Sequence, residues 1–178
     1  KLRIEKSDDI DLLYKYVSLS YERQGLKFKM PYNDLKSLDE AINLRGNRVI
    51  LKASDITDRV HAVLYVAFNK KSAYYLLSGS DPDLRNLGGH TFVMWEALKY
   101  FIGKTGFFNF GGSDIESIEE HVRGFGGTLT PYFHIFNDRF MGKRNDAGYH
   151  LGEAKFHLKE LWKIAKNRAL KTIRNNLK

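Results

Sequence analysis

The chain has 178 residues, 43% hydrophobic and 13% aromatic, which is enough to bury the core of one globular domain and unlike the composition of a disordered chain. It has no cysteine, which excludes disulfides, thiolate catalysis and cysteine-based zinc sites and permits a reducing, cytoplasmic setting. Its formal charge of +8 is concentrated in residues 154–178, where eight Lys and Arg side chains face one acid, Glu160, leaving the rest of the chain at net +1.

Residues 2–5 could form a short strand, after which Ser7 has the place of a helix N-cap with Asp8 and Asp9 in the first turn. Ile10, Leu13, Tyr14, Val17 and Tyr21 then recur at helical spacing up to Gly25. A second helix is expected over 33–45, burying Leu35, Leu38 and Ile42. Three apolar runs follow, at 49–53, 60–68 and 73–78, separated by turns too short for a crossover, so they are expected to pair as antiparallel hairpins. The second run is apolar on both faces, as a central strand covered by helices would be. From His90 a helix carries Met94, Ala97, Leu98 and Phe101 inward and stops at Gly103; strand 107–110, helix 114–123 and strand 128–136 complete the body.

The tail sets Leu158, Leu161, Trp162, Ala165, Ala169, Ile173 and Leu177 on one helical stripe with Lys and Arg opposite. This divides the chain into a domain at 1–153 and a basic amphipathic helix at 154–178, expected to dock through Trp162, with its charged face open to an anionic membrane surface or a tRNA. No apolar run approaches the ~20 residues needed to cross a bilayer and no signal peptide precedes Lys1, so a soluble or peripheral protein is expected. The absence of an initiator Met suggests a stretch of a longer polypeptide.

Three segments carry chemistry. Asp81-Pro82-Asp83-Leu84-Arg85-Asn86-Leu87-Gly88-Gly89-His90 is a glycine-bearing turn before a helix, where converging amides and the helix dipole suit a phosphate. Phe107-Phe108-Asn109-Phe110-Gly111-Gly112-Ser113-Asp114-Ile115-Glu116 ends a strand on two glycines, and Ser113 and Glu116 have capping-box spacing. Glu120-His121-Val122-Arg123-Gly124-Phe125-Gly126-Gly127 ends a helix. No metalloprotease, serine-hydrolase or P-loop motif occurs, and no acids and histidines stand at metal-ligand spacing, so no metal is expected.

These segments, in the order β-α-α-β-β-β-α-β-α-β, resemble the GNAT N-acyltransferase superfamily, and within it the BioF2-like and Fem-type (FemAB-like) branch. The resemblance implies a mixed α/β fold, a mainly antiparallel sheet flanked by helices with a C-terminal helix, and transfer of an acyl group, from acetyl-CoA or another acyl-CoA, to a small-molecule or peptide amine. Arg85 and Gly88 match the first and fourth positions of the R/Q-x-x-G-x-G/A pyrophosphate turn, whereas His90 replaces the small sixth residue. The implied donor site is Arg85, Asn86, Leu87, Gly88, Gly89 and His90 for the pyrophosphate, Gly111 and Gly112 for the pantetheine arm, and Leu77 and Ser78 for backbone amides at the oxyanion. Phe107 to Ser113 is similar to the FDFxGS segment of BioF2-like proteins, with Asn109 where an acid is common.

The third segment is similar to the Y-x-x-x-G-F ending of the last GNAT helix, with Glu120 in place of the Tyr that protonates the departing thiolate. A carboxylate would need its pKa raised by burial to do that work. Catalytic candidates are therefore Tyr75, Glu120, Tyr132 and His134. Two other readings stay open: a non-catalytic GNAT-fold binding domain within a tandem protein, and an aminoacyl-tRNA-dependent Fem-type transferase.

Overall fold

The computed structural model describes residues 1–111 and 116–130. Contacts divide the chain into two compact units, 1–129 and 130–178, and the architecture below is that of the first. The tail with Trp162, the boundary expected at 153/154, and Gly112, Ser113, Tyr132 and His134 lie outside the described residues.

Strand β1 (Arg3–Ser7) leads into helix α1 (Ile10–Glu22) and helix α2 (Tyr32–Asn43). Strands β2 (Arg48–Ser54), β3 (Val60–Phe68) and β4 (Ser72–Ser80) follow as hairpins. A 3-10 turn at Pro82–Leu87 precedes helix α3 (Gly89–Phe101), then come strand β5 (Phe107–Asn109) and helix α4 (Glu116–Arg123). The strands lie in sequence order in one sheet, antiparallel from β1 to β4, with β5 parallel to β4. Residues 128–130, expected to open a strand, carry none.

Side-chain alternation sends β2, β3 and β4 to two cores. Leu51, Ala53, Leu64, Val66 and Ala73 pack under Val93, Met94, Ala97 and Phe101 of α3. On the other face Ile50, Val63 and Tyr65 meet Leu13, Tyr16 and Val17 of α1 and Leu35 of α2. β3 is thus covered on both sides, as its doubly apolar sequence required.

Three expectations are corrected. Ser7 ends β1, and Asp9 is the N-cap of α1, its carboxylate accepting from the Leu12 amide at 2.8 Å. Tyr16, absent from the expected stripe, is buried and its hydroxyl donates to the Val60 carbonyl at 3.0 Å. In α2 it is Asp39 rather than Leu38 that turns inward, because Arg48 waits on β2. Arg48 Nε faces Asp39 Oδ1 at 2.9 Å without the alignment of a hydrogen bond, and its Nη1 donates to Asp8 at 2.6 Å. The Tyr65 hydroxyl is pushed well above its ordinary pKa by burial and by Asp39.

Candidate active site at the opened edge of β4

The ladder between β4 and β5 is short. Ser72 pairs with Phe107, Ala73 with Phe108 and Tyr74 with Asn109, and there the pairing stops. Asn109 helps to end β5, because its side chain accepts from the Gly111 amide at 2.8 Å, bending the chain at a residue whose φ of +78° suits glycine. Beyond Tyr74, β4 continues to Ser80 along β3 with no strand on its other side among the described residues.

At that departure β4 also carries a bulge. Val66 pairs with Tyr75 but Tyr65 pairs with Leu77, so Leu76 is an extra residue. The bulge has a chemical consequence. Residues three apart on a regular strand point to opposite faces, yet Tyr75 opposite Val66 and Ser78 opposite Leu64 both lie on the α3 face. Their hydroxyls are hydrogen-bonded to each other, and Ser78 Oγ is 2.9 Å from His90 Nε2. Burial raises the Tyr75 pKa above its usual 10.0, the Ser78 hydrogen bond opposing it, so the phenol holds its proton at neutral pH. His90 is pushed down to about 4, first by burial and then by the His121 and Arg85 charges, so its imidazole is neutral.

His90 belongs to the turn that opens α3. Gly88 caps the helix in the left-handed conformation, φ +74° and ψ +14°, and supplies no side chain to the first-turn amides. Gly89 is buried; a Cβ there would come within 2.7 Å of the His61 Cβ. Beneath it, His61 Nε2 lies 3.1 Å from Asp55 Oδ2. The Thr57 hydroxyl first, then His61, hold that carboxyl well below its ordinary range, so the ionised Asp55 accepts the proton that His61 Nε2 carries. Arg85, Asn86 and Leu87 are exposed on the turn. His90, which departs from the small sixth residue of the pattern, directs its ring to Ser78 on β4 rather than across the mouth of the turn.

The structure therefore brings together Tyr75, Ser78 and His90, with the Gly88–Gly89 turn beside them and Gly111 facing the Tyr75 carbonyl across the gap, 4.0 Å from a built Cβ. It does not bring in Glu120, which is exposed on α4. The Leu77 side chain turns the other way and packs against the α1 and α2 core. The residue that α4 presents is His121: its ring lies 5.4 Å from that of His90 and edge-on to Phe125 at 5.1 Å, and Phe125 stacks on Phe110. His121 stands one place beyond the position that the motif marks, and helix phase was the signal that could have found it.

A groove of about 650 Å³ lies between α1, α2 and β2, lined by Asp8, Asp9, Asp11, Lys36, Glu40 and others. Four of its acids are already engaged: Asp8 and Asp39 with Arg48, Asp9 with the Leu12 amide, Asp11 with the Tyr32 hydroxyl. It is a support of the fold. Among the described residues, no three side chains of the kinds that hold metals converge, and no helix is long and apolar enough to cross a membrane.

A family model described as the acetyltransferase (GNAT) domain matches residues 1–117. Among solved structures, a predicted acetyltransferase with acetyl-CoA from Clostridium acetobutylicum aligns with a TM-score of 0.59 and 14% identity, over 77% of this chain and 96% of that one. The aminoglycoside 6'-N-acetyltransferase of Acinetobacter baumannii aligns with a TM-score of 0.56 and 16% identity, over 77% and 97%. Glucosamine-6-phosphate N-acetyltransferase from Arabidopsis thaliana gives 0.55 and 13%, over 77% and 98%. At these identities the likeness is one of fold. No curated protein sequence matches the chain.

Proposed function

The chain belongs to the GNAT acetyltransferase domain family, and on that premise we propose that it moves an acyl group from acyl-CoA to an amine at the opened edge of β4. The observation that carries this reading is the early end of the β4–β5 ladder, because beyond Tyr74 it leaves one edge of β4 without a partner strand among the described residues, beside a helix N-terminus that has no side-chain cap. The extended arm of an acyl thioester can add to a strand edge as a peptide does, and its pyrophosphate suits the amides that open α3. The residues present fit such a donor. Gly88 puts no side chain over these amides, and His90 points away from them.

Chemically, amine attack on a thioester needs an oxyanion stabilised and a thiolate protonated. Backbone amides around the bulge serve the first need. Tyr75 serves the second: its phenol keeps its proton until sulfur leaves, and Ser78 and then His90 stand behind it as a hydrogen-bonded chain through which the proton is replaced. In that direction His90 Nε2 donates to Ser78 Oγ and Ser78 donates to Tyr75, which leaves the phenol proton for the thiolate.

Calorimetry with acetyl-CoA, longer acyl-CoAs and aminoacyl-tRNA tests the reading. We expect acetyl-CoA to bind and a Ser78→Tyr variant, which fills the gap, to lose it while staying folded. Binding of aminoacyl-tRNA alone would move the chain to a different donor.

A further inference from the structure

We propose that His121 is a catalytic residue, the base that takes the proton from the attacking amine. This rests on the acyltransferase reading above. The observation is a polar atom out of place: His121 Nε2 is shielded from solvent, yet no hydrogen-bond partner reaches it among the described residues. An imidazole nitrogen buried without a partner is costly to the fold and calls for an explanation, which a role in the reaction supplies. His121 sits on the wall of the site. Its ring contacts His90, whose Nε2 meets Ser78 on the opened edge, and its other face rests edge-on against Phe125.

The groups around it leave this role to His121. His90 of α3, the titratable group packed against it, is bonded through Nε2 to Ser78 and is a weak base in its buried place. Arg85 carries its charge near His90 and cannot accept a proton. On its own helix Glu119 is paired with Arg123, and Glu120 is exposed. The step then balances. An alkylammonium gives one proton to His121 Nε2, the freed nitrogen pair forms the N–C bond, the C–S bond breaks with its electron pair on sulfur, and the thiolate takes the Tyr75 proton. The second amine proton leaves to solvent as the amide forms, and Tyr75 is reprotonated through Ser78 and His90. His90 takes a proton from solvent and His121 gives its own back, so one proton is released per turnover.

The test uses the whole chain with acetyl-CoA as donor and n-butylamine as acceptor, following thiol release with a thiol-reactive dye that this cysteine-free chain does not consume. His121→Gln should bind acetyl-CoA like the wild type by calorimetry and lose roughly 10²–10⁴-fold in kcat near neutral pH. The loss should shrink as pH rises towards the range where butylamine is itself neutral, and His121→Ala should recover part of its rate with added imidazole. A loss that is the same at every pH and is not rescued, or a His121→Gln variant as fast as the wild type, would overturn the assignment and leave the acyltransferase reading standing. A wild type that neither binds acetyl-CoA nor releases thiol would instead sink that reading, and this one with it.

Discussion

Two sides of the same strand are built on opposite terms. On the face towards α1, β4 is sealed: a Cβ at Gly79 would fall on the backbone of Tyr16 and Val17, and the Ser80 amide donates to Ser20 Oγ at 3.0 Å. Along the edge towards β5 it is released after three pairs, and a bulge puts two hydroxyls together on the α3 face. One strand can stay open on one side because it is clamped on another, and a site held to this precision needs such a clamp.

The clamp should be the more fragile of the two. Gly79→Ala places a methyl on helix backbone that cannot move aside as a side chain could, so its cost should exceed the roughly 1–3 kcal/mol of ordinary overpacking and leave little folded protein. A denaturant melt checks this, and a wild-type midpoint would show that α1 is not seated on β4. Next comes the pair that anchors α2. Asp39→Ala removes the buried partner of Arg48, which is only 5% exposed and keeps the exposed Asp8. It should cost about 3 kcal/mol, the lower end for a broken buried pair, while leaving acetyl-CoA affinity per folded molecule unchanged.

On the open side the effects are smaller and depend on pH. The folded-state pKa of His90 is lowered from 6.5 to about 4, so the unfolded chain binds the extra proton first as pH falls. The neutral imidazole therefore costs nothing above about pH 6.5, and stability declines from there to about pH 4, by on the order of 3 kcal/mol. Melts of His90→Phe should lack that decline, whereas Asp55, whose pKa is lowered, should lose its contribution only further into acid. Smallest in stability, at about 1 kcal/mol, is Tyr75→Phe, which removes one hydrogen bond. Its effect should appear in kcat with acetyl-CoA, roughly 10²-fold or more, and an unchanged kcat would take the phenol out of the reaction.

Much of the frame was legible because it rests on local patterns. Apolar runs separated by short turns set the hairpins, and the doubly apolar 60–68 run gave the covered strand. The glycine turn before α3 was legible for the same reason. What was not legible depends on tertiary contact. Gly79 reads as one small residue between two serines until α1 lies across it, and Asp39 reads as a solvent-facing acid until Arg48 is opposite. The Tyr75 and Ser78 pairing was hidden because alternation puts them on opposite faces, and only the extra residue at Leu76 reverses this. Glu120 was chosen by motif position, and the rotation of α4 offers His121 instead.

Amide hydrogen exchange, followed residue by residue with and without acetyl-CoA, tests the opened edge most directly. Slowed exchange should appear in those amides of residues 76–78 that point away from β3 and in the first turn of α3 at Gly89, His90 and Thr91, with little change along β2. Protection confined to the groove around Asp8, Lys36 and Arg48, or no change anywhere under saturating donor, would contradict the account.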